Sequence, residues 1–586
     1  MDRRLGLGIG SFVLLTLAAC GSSSGGDGAG ENSGSASGSS SGSGSGSSAG
    51  DDGSPGDDAT TGSTSGSASG SESGSAGTGD GGSSSGDAGT TADGGAAAAA
   101  DVLQMHNHIN RDGLFIDSAL TETALKGKTL HLDATFAGAL SGHAYASPLY
   151  VQNGVGHKGT FYVATESNNV YALDETTGAN AIPSKSAGTA ASQSFNGGCG
   201  NINPIGITGT PAIDLTTRLI VFDAATADAN GSIKTHTIHA WSIDDFTEKW
   251  SLDVSTLSDP VAGPFVPQVQ NQRSAVLIVN GIAYVTYGGH WGDCSMGATT
   301  YHGWIVGVPL AAASSAAAKS MAKEWATPAS RAGMWAPGGP SSDGTSIYMA
   351  TGDTGDGDNG SDWKGGYSVV RFGAGPVFTA GSANFWHALS DDTMGDDDLG
   401  GSAPIVIDAP NVTPSKLIVQ LGKDQHAYTL NRTNLGGEAS PVGSKEVMSG
   451  DISNAAAWAN TPSGTFVAMV SNGGAVGTGC AKGSGSLVVA QLSATAQISV
   501  PWCASNGGGS PSITSSDGTR DMMVWSVGTD GGGNQTNQIR AWDLATGTTV
   551  VTASDSMNAT RHFTTPIFVH GRAMVVGDGR LFALKP

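Results

Sequence analysis

Positive charge is scarce in this chain. Lys and Arg number 27 against 50 Asp and Glu, a formal net charge of −23 with a pI near 4.7, and no stretch gathers the basic cluster that phosphate binding requires. A nucleic-acid partner is therefore not expected. Cysteine is sparse too: five in 586 residues, with no C-x-x-C spacing, which argues against a zinc site and a covalently attached c-type haem. From Gly21 to Gly95 there is no aromatic residue and no Val, Ile, Leu or Met. Such a tract cannot offset its ordering entropy, so residues 21–100 are expected to form a disordered Gly/Ser-rich tether with a root-mean-square reach of roughly 50 Å. The G-x-S-x-G match at Gly38–Gly42 lies within it, with neither the strand nor the helix that a nucleophile elbow needs.

The first twenty residues, MDRRLGLGIGSFVLLTLAAC, combine a short basic start with an apolar run too short to span a bilayer comfortably. This pattern reads as an export signal over residues 1–20. Arg3 and Arg4 lack the flanks of a twin-arginine signal. The ending Leu-Ala-Ala-Cys resembles the lipobox of bacterial lipoproteins, and the resemblance implies cleavage before Cys20 and lipidation of that residue. Gly21 is not the Asp that retains lipoproteins at the inner membrane, which points to the outer membrane, on its periplasmic or its surface side. Four cysteines then remain, Cys199, Cys294, Cys480 and Cys503. An even number outside the cytoplasm favours disulfides, with Cys199–Cys294 and Cys480–Cys503 the expected pairs because each would join nearby loops.

The body from Asp101 to Pro586 is built from repeats. Short apolar strands open at SPLYV, GTPAIDL, RSAVLIV, GGPSSD, SAPIVID, GSPSITS and TTPIFV. Each is followed by a second strand, as in TFYVAT or KLIVQLG, and a third, as in NVYALD or QIRAWDL. The long interval between Pro404 and Pro511 leaves room for one further unit, from about Trp458 to Cys503. Eight short β units, rich in turn signals and lacking sustained helical periodicity, predict an all-β fold, an eight-bladed β-propeller, with seven blades or paired β-sandwiches as alternatives. The last unit ends after its third strand, and GKTLHLDATF at Gly127 is expected to supply the fourth and close the ring.

NVYALDETTG, AWDLATG and tryptophans trailing the units, such as Trp250 in FTEKW, resemble the repeats of the PQQ-like, quinoprotein alcohol-dehydrogenase-like propellers. Longer segments such as SPLYVQNGVGHKGTFYVATESNNVYALD extend the likeness over nearly all of 101–586. The resemblance implies that the Trp packs between neighbouring sheets. It also implies, for the catalytic members, a central funnel holding PQQ and calcium beside a catalytic Asp and two adjacent cysteines. This chain has no adjacent cysteine pair, and no Asp aligns with the catalytic position. Other members are non-catalytic lipoproteins that act in outer-membrane assembly.

The most site-like segment is ATGDTGDGDNGSDWKGG at Ala350. Asp353, Asp356, Asp358 and Asp362 lie among glycines there, and their oxygens are candidate calcium ligands, although the loop lacks a terminal bidentate Glu and also reads as a solvated acidic hairpin. The run Asp391–Asp398 reads as an exposed loop with capping Asp residues. His290, His302 and His387 are isolated and read as structural. The expected function is a lipid-anchored, monomeric, non-catalytic propeller at the cell envelope that binds a protein, glycan or small ligand. The alternative is a PQQ- and calcium-dependent alcohol or sugar dehydrogenase.

Overall fold

In the computed structural model the described residues are 101–192, 202–289, 301–354, 363–388, 398–477, 479–529 and 535–586, without the side chains of 481–484. Signal, tether, Cys20, Cys199 and Cys294 lie outside them. Ala92–Pro586 is one compact unit. No helix among the described residues is long and apolar enough to cross a membrane.

Eight antiparallel sheets of four principal strands surround a central axis, so the propeller has eight blades. Blade 1 runs outward through Leu149–Val151, Thr160–Ala164, Asn169–Asp174 and Asn180–Ser186. The pleat explains why its second strand is continuously apolar from Phe161 to Ala164. Successive side chains of a strand point to opposite faces, and here both faces are covered: Tyr162 and Ala164 pack with Ile220 and Phe222 of blade 2, while Phe161 and Val163 pack with Val575 of blade 8. The same double burial recurs around the ring.

The repeated A-x-D-x-x-T-G phrase is the turn after the third strand. Asp174 Oδ1 accepts hydrogen bonds from Thr176 N, Thr177 N and Thr177 Oγ1 at 3.1, 2.9 and 2.8 Å, and Gly178 then takes φ +66°, a region that favours glycine. Asp543 repeats the arrangement with Thr546 at 2.7 and 2.6 Å, before Gly547 at φ +72°. The trailing tryptophans bind blade to blade. Trp502, at the rim of blade 6, donates from Nε1 to Leu544 O of blade 7 at 3.0 Å, and Trp250 is buried against Val285 and Trp304 of blade 3. Cys480 and Cys503 form a disulfide within blade 6. His131–Leu132 pairs with Arg580–Lys585 as the outer strand of blade 8, which closes the ring as GKTLHLDATF implied.

The sequence did not foretell the role of residues 101–117. They enter the central channel and contact all eight blades. Val102 exchanges backbone hydrogen bonds with Tyr150 at 2.8 and 2.9 Å, and Leu103 O accepts from Ile213 N at 2.7 Å. Arg111 donates to Val276 O of blade 3 at 3.2 Å. The oxygens of Ile109, Asn110, Asp112 and Gly113 accept from Ser342, Val406, Trp458 and Ile513 of blades 4 to 7 at 2.8, 3.1, 2.8 and 2.8 Å. Leu114–Ile116 pairs in parallel with the first strand of blade 7, and Asp117 Oδ2 accepts from Gly571 N of blade 8 at 2.7 Å. The innermost strand of every blade would otherwise present an unpaired edge to the axis, a costly arrangement for buried amides. The segment supplies those partners.

At its centre Arg111 is fully buried. Its guanidinium donates to Pro340 O at 3.0 Å, Met105 O at 2.8 Å and Gln104 Oε1 at 3.5 Å, besides Val276 O. Burial lowers its pKa to about 9. His106 is also buried, and desolvation, followed by the charge of Arg111, lowers it to about 4. Met105 packs with Ala275 and Ala455.

Candidate functional site

The residues that lead into the first strands, together with those that follow the second strands, line a funnel. Arg273 precedes the first strand of blade 3, Leu277–Val279; Trp335 precedes that of blade 4, Ser341–Ser342; and Lys423 follows the second strand of blade 5, Lys416–Leu421. These three half-buried side chains are shared by two adjoining cavities of about 230 and 300 Å³. The Arg273 guanidinium carbon lies 4.2 Å from the centroid of the Trp335 ring, and Lys423 Nζ lies 5.0 Å from it. Such cation–π contacts hold the cations at the aromatic face.

Asp398 fixes this group. Its Oδ2 pairs with Lys423 Nζ at 2.7 Å, and its Oδ1 accepts from Trp335 Nε1 and Asp353 N at 3.3 Å each. Glycine is required nearby: a Cβ on Gly352 would lie 2.2 Å from Asp398 Oδ1, and one on Gly401 would lie 2.8 Å from the Trp335 ring. The larger cavity adds Arg331, Asp353 and Tyr301 to the shared residues. The smaller adds Asp451, Ser453, Asn454, Asn472, Thr529 and Phe563 among others. The funnel thus combines aromatic surface, guanidinium and ammonium donors, and a lining of amide, hydroxyl and carboxylate groups.

Of the acidic segment, Asp353 stands in the funnel wall, while Asp356, Asp358 and Asp362 lie outside the described residues. Asp398 differs from its sequence reading. It is buried, and its side chain does not cap the helical turn Leu399–Gly401 that it precedes, because the carboxylate is drawn to Lys423, the Trp335 indole and Asp353 N. His302 and His387 are structural: each Nδ1 faces backbone oxygens, Thr327 O and Ala329 O at 2.8 and 2.9 Å, and Gly366 O at 3.1 Å. His290 is not among the described residues. Arg273, Trp335 and Lys423 escaped the sequence reading, since they come from three blades and share no local motif.

An eight-bladed propeller with a central funnel is the class that these observations define, and solved structures share the fold. The chain is similar to quinohemoprotein alcohol dehydrogenase from Comamonas testosteroni, with a TM-score of 0.53 at 12% identity, over 83% of this chain and 80% of that one. It is similar to a europium-containing methanol dehydrogenase, with a TM-score of 0.54 at 12% identity, over 82% of this chain and 90% of that one. BamB from Moraxella catarrhalis is a looser likeness, with a TM-score of 0.40 at 11% identity, over 76% of this chain and all of that one. No known family model and no curated protein matches the chain.

Among the described residues the carboxylate at Trp335 is not free to hold calcium beside PQQ. Both oxygens of Asp398, the carboxylate that touches Trp335, are engaged by protein donors. Among the described residues no three His, Cys, Asp or Glu side chains converge to hold a metal ion. On the face of Trp335 that Arg273 covers, a planar quinone would have to displace the guanidinium.

Proposed function

We propose that this chain is an exported, lipid-anchored, monomeric binding propeller whose funnel takes a small acidic saccharide without transforming it. The observation that carries this reading is the convergence of Arg273, Arg331 and Lys423 around Trp335 in a chain with a net charge of −23. Guanidinium groups match a carboxylate in planar, bidentate fashion. Asp451, Asn454, Asn472 and Thr529 offer donors and acceptors to sugar hydroxyls, and the two cavities have room for one or two sugar rings. The anchor rests on the LAAC ending and Cys20. Radiolabelled palmitate is expected to label the wild-type chain, and Cys20→Ala is expected to abolish the label.

Titration with glucuronate and galacturonate oligomers, followed by tryptophan fluorescence, tests the funnel. Saturable quenching that is absent with glucose oligomers and lost in Trp335→Ala is expected. Equal responses to neutral and acidic oligomers would overturn the proposed ligand class.

One observation favours a second reading, a PQQ-dependent oxidoreductase: acidic and basic side chains do gather at a Trp in the funnel, within a fold shared with quinoprotein dehydrogenases. PQQ and calcium added together, followed by dye-linked oxidation of alcohols and sugars, separate the two. Turnover dependent on PQQ would replace the binding reading.

A further inference from the structure

Away from the funnel lining, beside the joint between blades 1 and 2, buried oxygens stand without partners. The turn from Thr160–Ala164 to Asn169–Asp174 is Thr165-Glu166-Ser167-Asn168. Thr165, Glu166 and Asn168 are fully buried, and Thr208, on the connection into blade 2, nearly so. Thr165 Oγ1, Glu166 Oε1, Asn168 Oδ1 and Thr208 Oγ1 all lack a hydrogen-bond partner.

Gly206 lies against Glu166 and Asn168. Its N–H donates to Glu166 Oε2 at 2.7 Å, and a Cβ at this glycine would lie 2.2 Å from Glu166 O and 2.7 Å from Asn168 Oδ1. The Thr208 hydroxyl approaches the carboxylate without reaching hydrogen-bonding geometry. Asn168 Nδ2 is already committed to Ala225 O at 2.8 Å, which leaves the amide oxygen turned the other way. Among the described residues no Lys, Arg or His forms an ion pair with Glu166. A buried carboxylate without a counter-charge either takes up a proton or holds a cation. A proton satisfies one of the four open oxygens and gives a partner to one more, whereas a cation engages several at once.

We infer that Glu166, Asn168 and Thr208, with the backbone oxygen of Glu166, hold a dehydrated hard cation that pins the blade 1 turn to the entry of blade 2. The donors are all oxygen, as hard cations prefer. The single carboxylate balances one positive charge, so a singly charged ion, sodium, fits best.

Thermal unfolding of the full chain at pH 8 in sodium, potassium, calcium or choline chloride, at equal ionic strength, tests this. Sodium is expected to raise Tm by a few degrees over choline, saturably, and Glu166→Gln is expected to unfold at the same temperature in both. A rise with calcium alone would keep the cation site and overturn its single charge. Equal Tm of the wild type in all four salts would overturn the site, and that comparison holds even if the variant fails to fold.

Discussion

Within the central channel residues 101–117 meet every blade, chiefly through backbone groups; in the funnel Arg273, Trp335 and Lys423 meet beside open cavities through their side chains. In the first region Arg111 is fully buried and its donors are consumed by folding. Arg111 there spends its donors on carbonyl oxygens, whereas Arg273 lies against an indole beside open space. The same residue type is thus structural in one place and available for recognition in the other, and the difference lies in what surrounds it.

The largest expected effect is within the central channel. Arg111→Ala leaves several buried carbonyls without a donor, and each such orphan costs about 1–3 kcal/mol. The variant is expected to lose about 4 kcal/mol or more of unfolding free energy in urea. An effect below about 1 kcal/mol would show that the plug is dispensable.

Next comes pH. The folded-state pKa of His106, about 4, lies below its ordinary 6.5, so between these values the unfolded chain binds a proton that the folded chain refuses. The stability linked to His106 is complete above pH 6.5, falls as pH drops toward 4, and is constant below. Burial sets most of the shift; of the neighbouring charges, Arg111 lowers the pKa further and Asp112 raises it. The interval corresponds to about 3 kcal/mol. Denaturant melts between pH 7 and 4 should show this loss in the wild type and a flatter profile in His106→Gln.

The smallest effect is on the surface, where Asp174→Ala removes the turn acceptor of blade 1. It is expected to cost about 1 kcal/mol by chemical denaturation, with no change in ligand binding.

The legibility of the two regions in the sequence follows from the same contrast. Blade strands such as Thr160–Ala164 were readable because burial on both faces demands continuous apolar runs, and Asp174 and Asp543 were readable because a turn imposes a local pattern. Residues 101–117 were not, since their contacts are largely main-chain hydrogen bonds that require no particular side chains. In the funnel only Asp353 and Asp398 belonged to segments that drew notice, and neither segment pointed to Trp335. Arg273 and Lys423 are 150 positions apart, and only the curvature of the ring brings them to one Trp.

The most direct test of the division between the two regions is isothermal titration of a glucuronate oligomer onto Arg273→Ala beside the wild type, with unfolding free energies measured on the same preparations. The expected result is at least a roughly tenfold loss of affinity, the equivalent of about 1.4 kcal/mol, with stability unchanged within about 0.5 kcal/mol. Undiminished affinity, or a loss of stability as large as the loss of binding, would contradict the account.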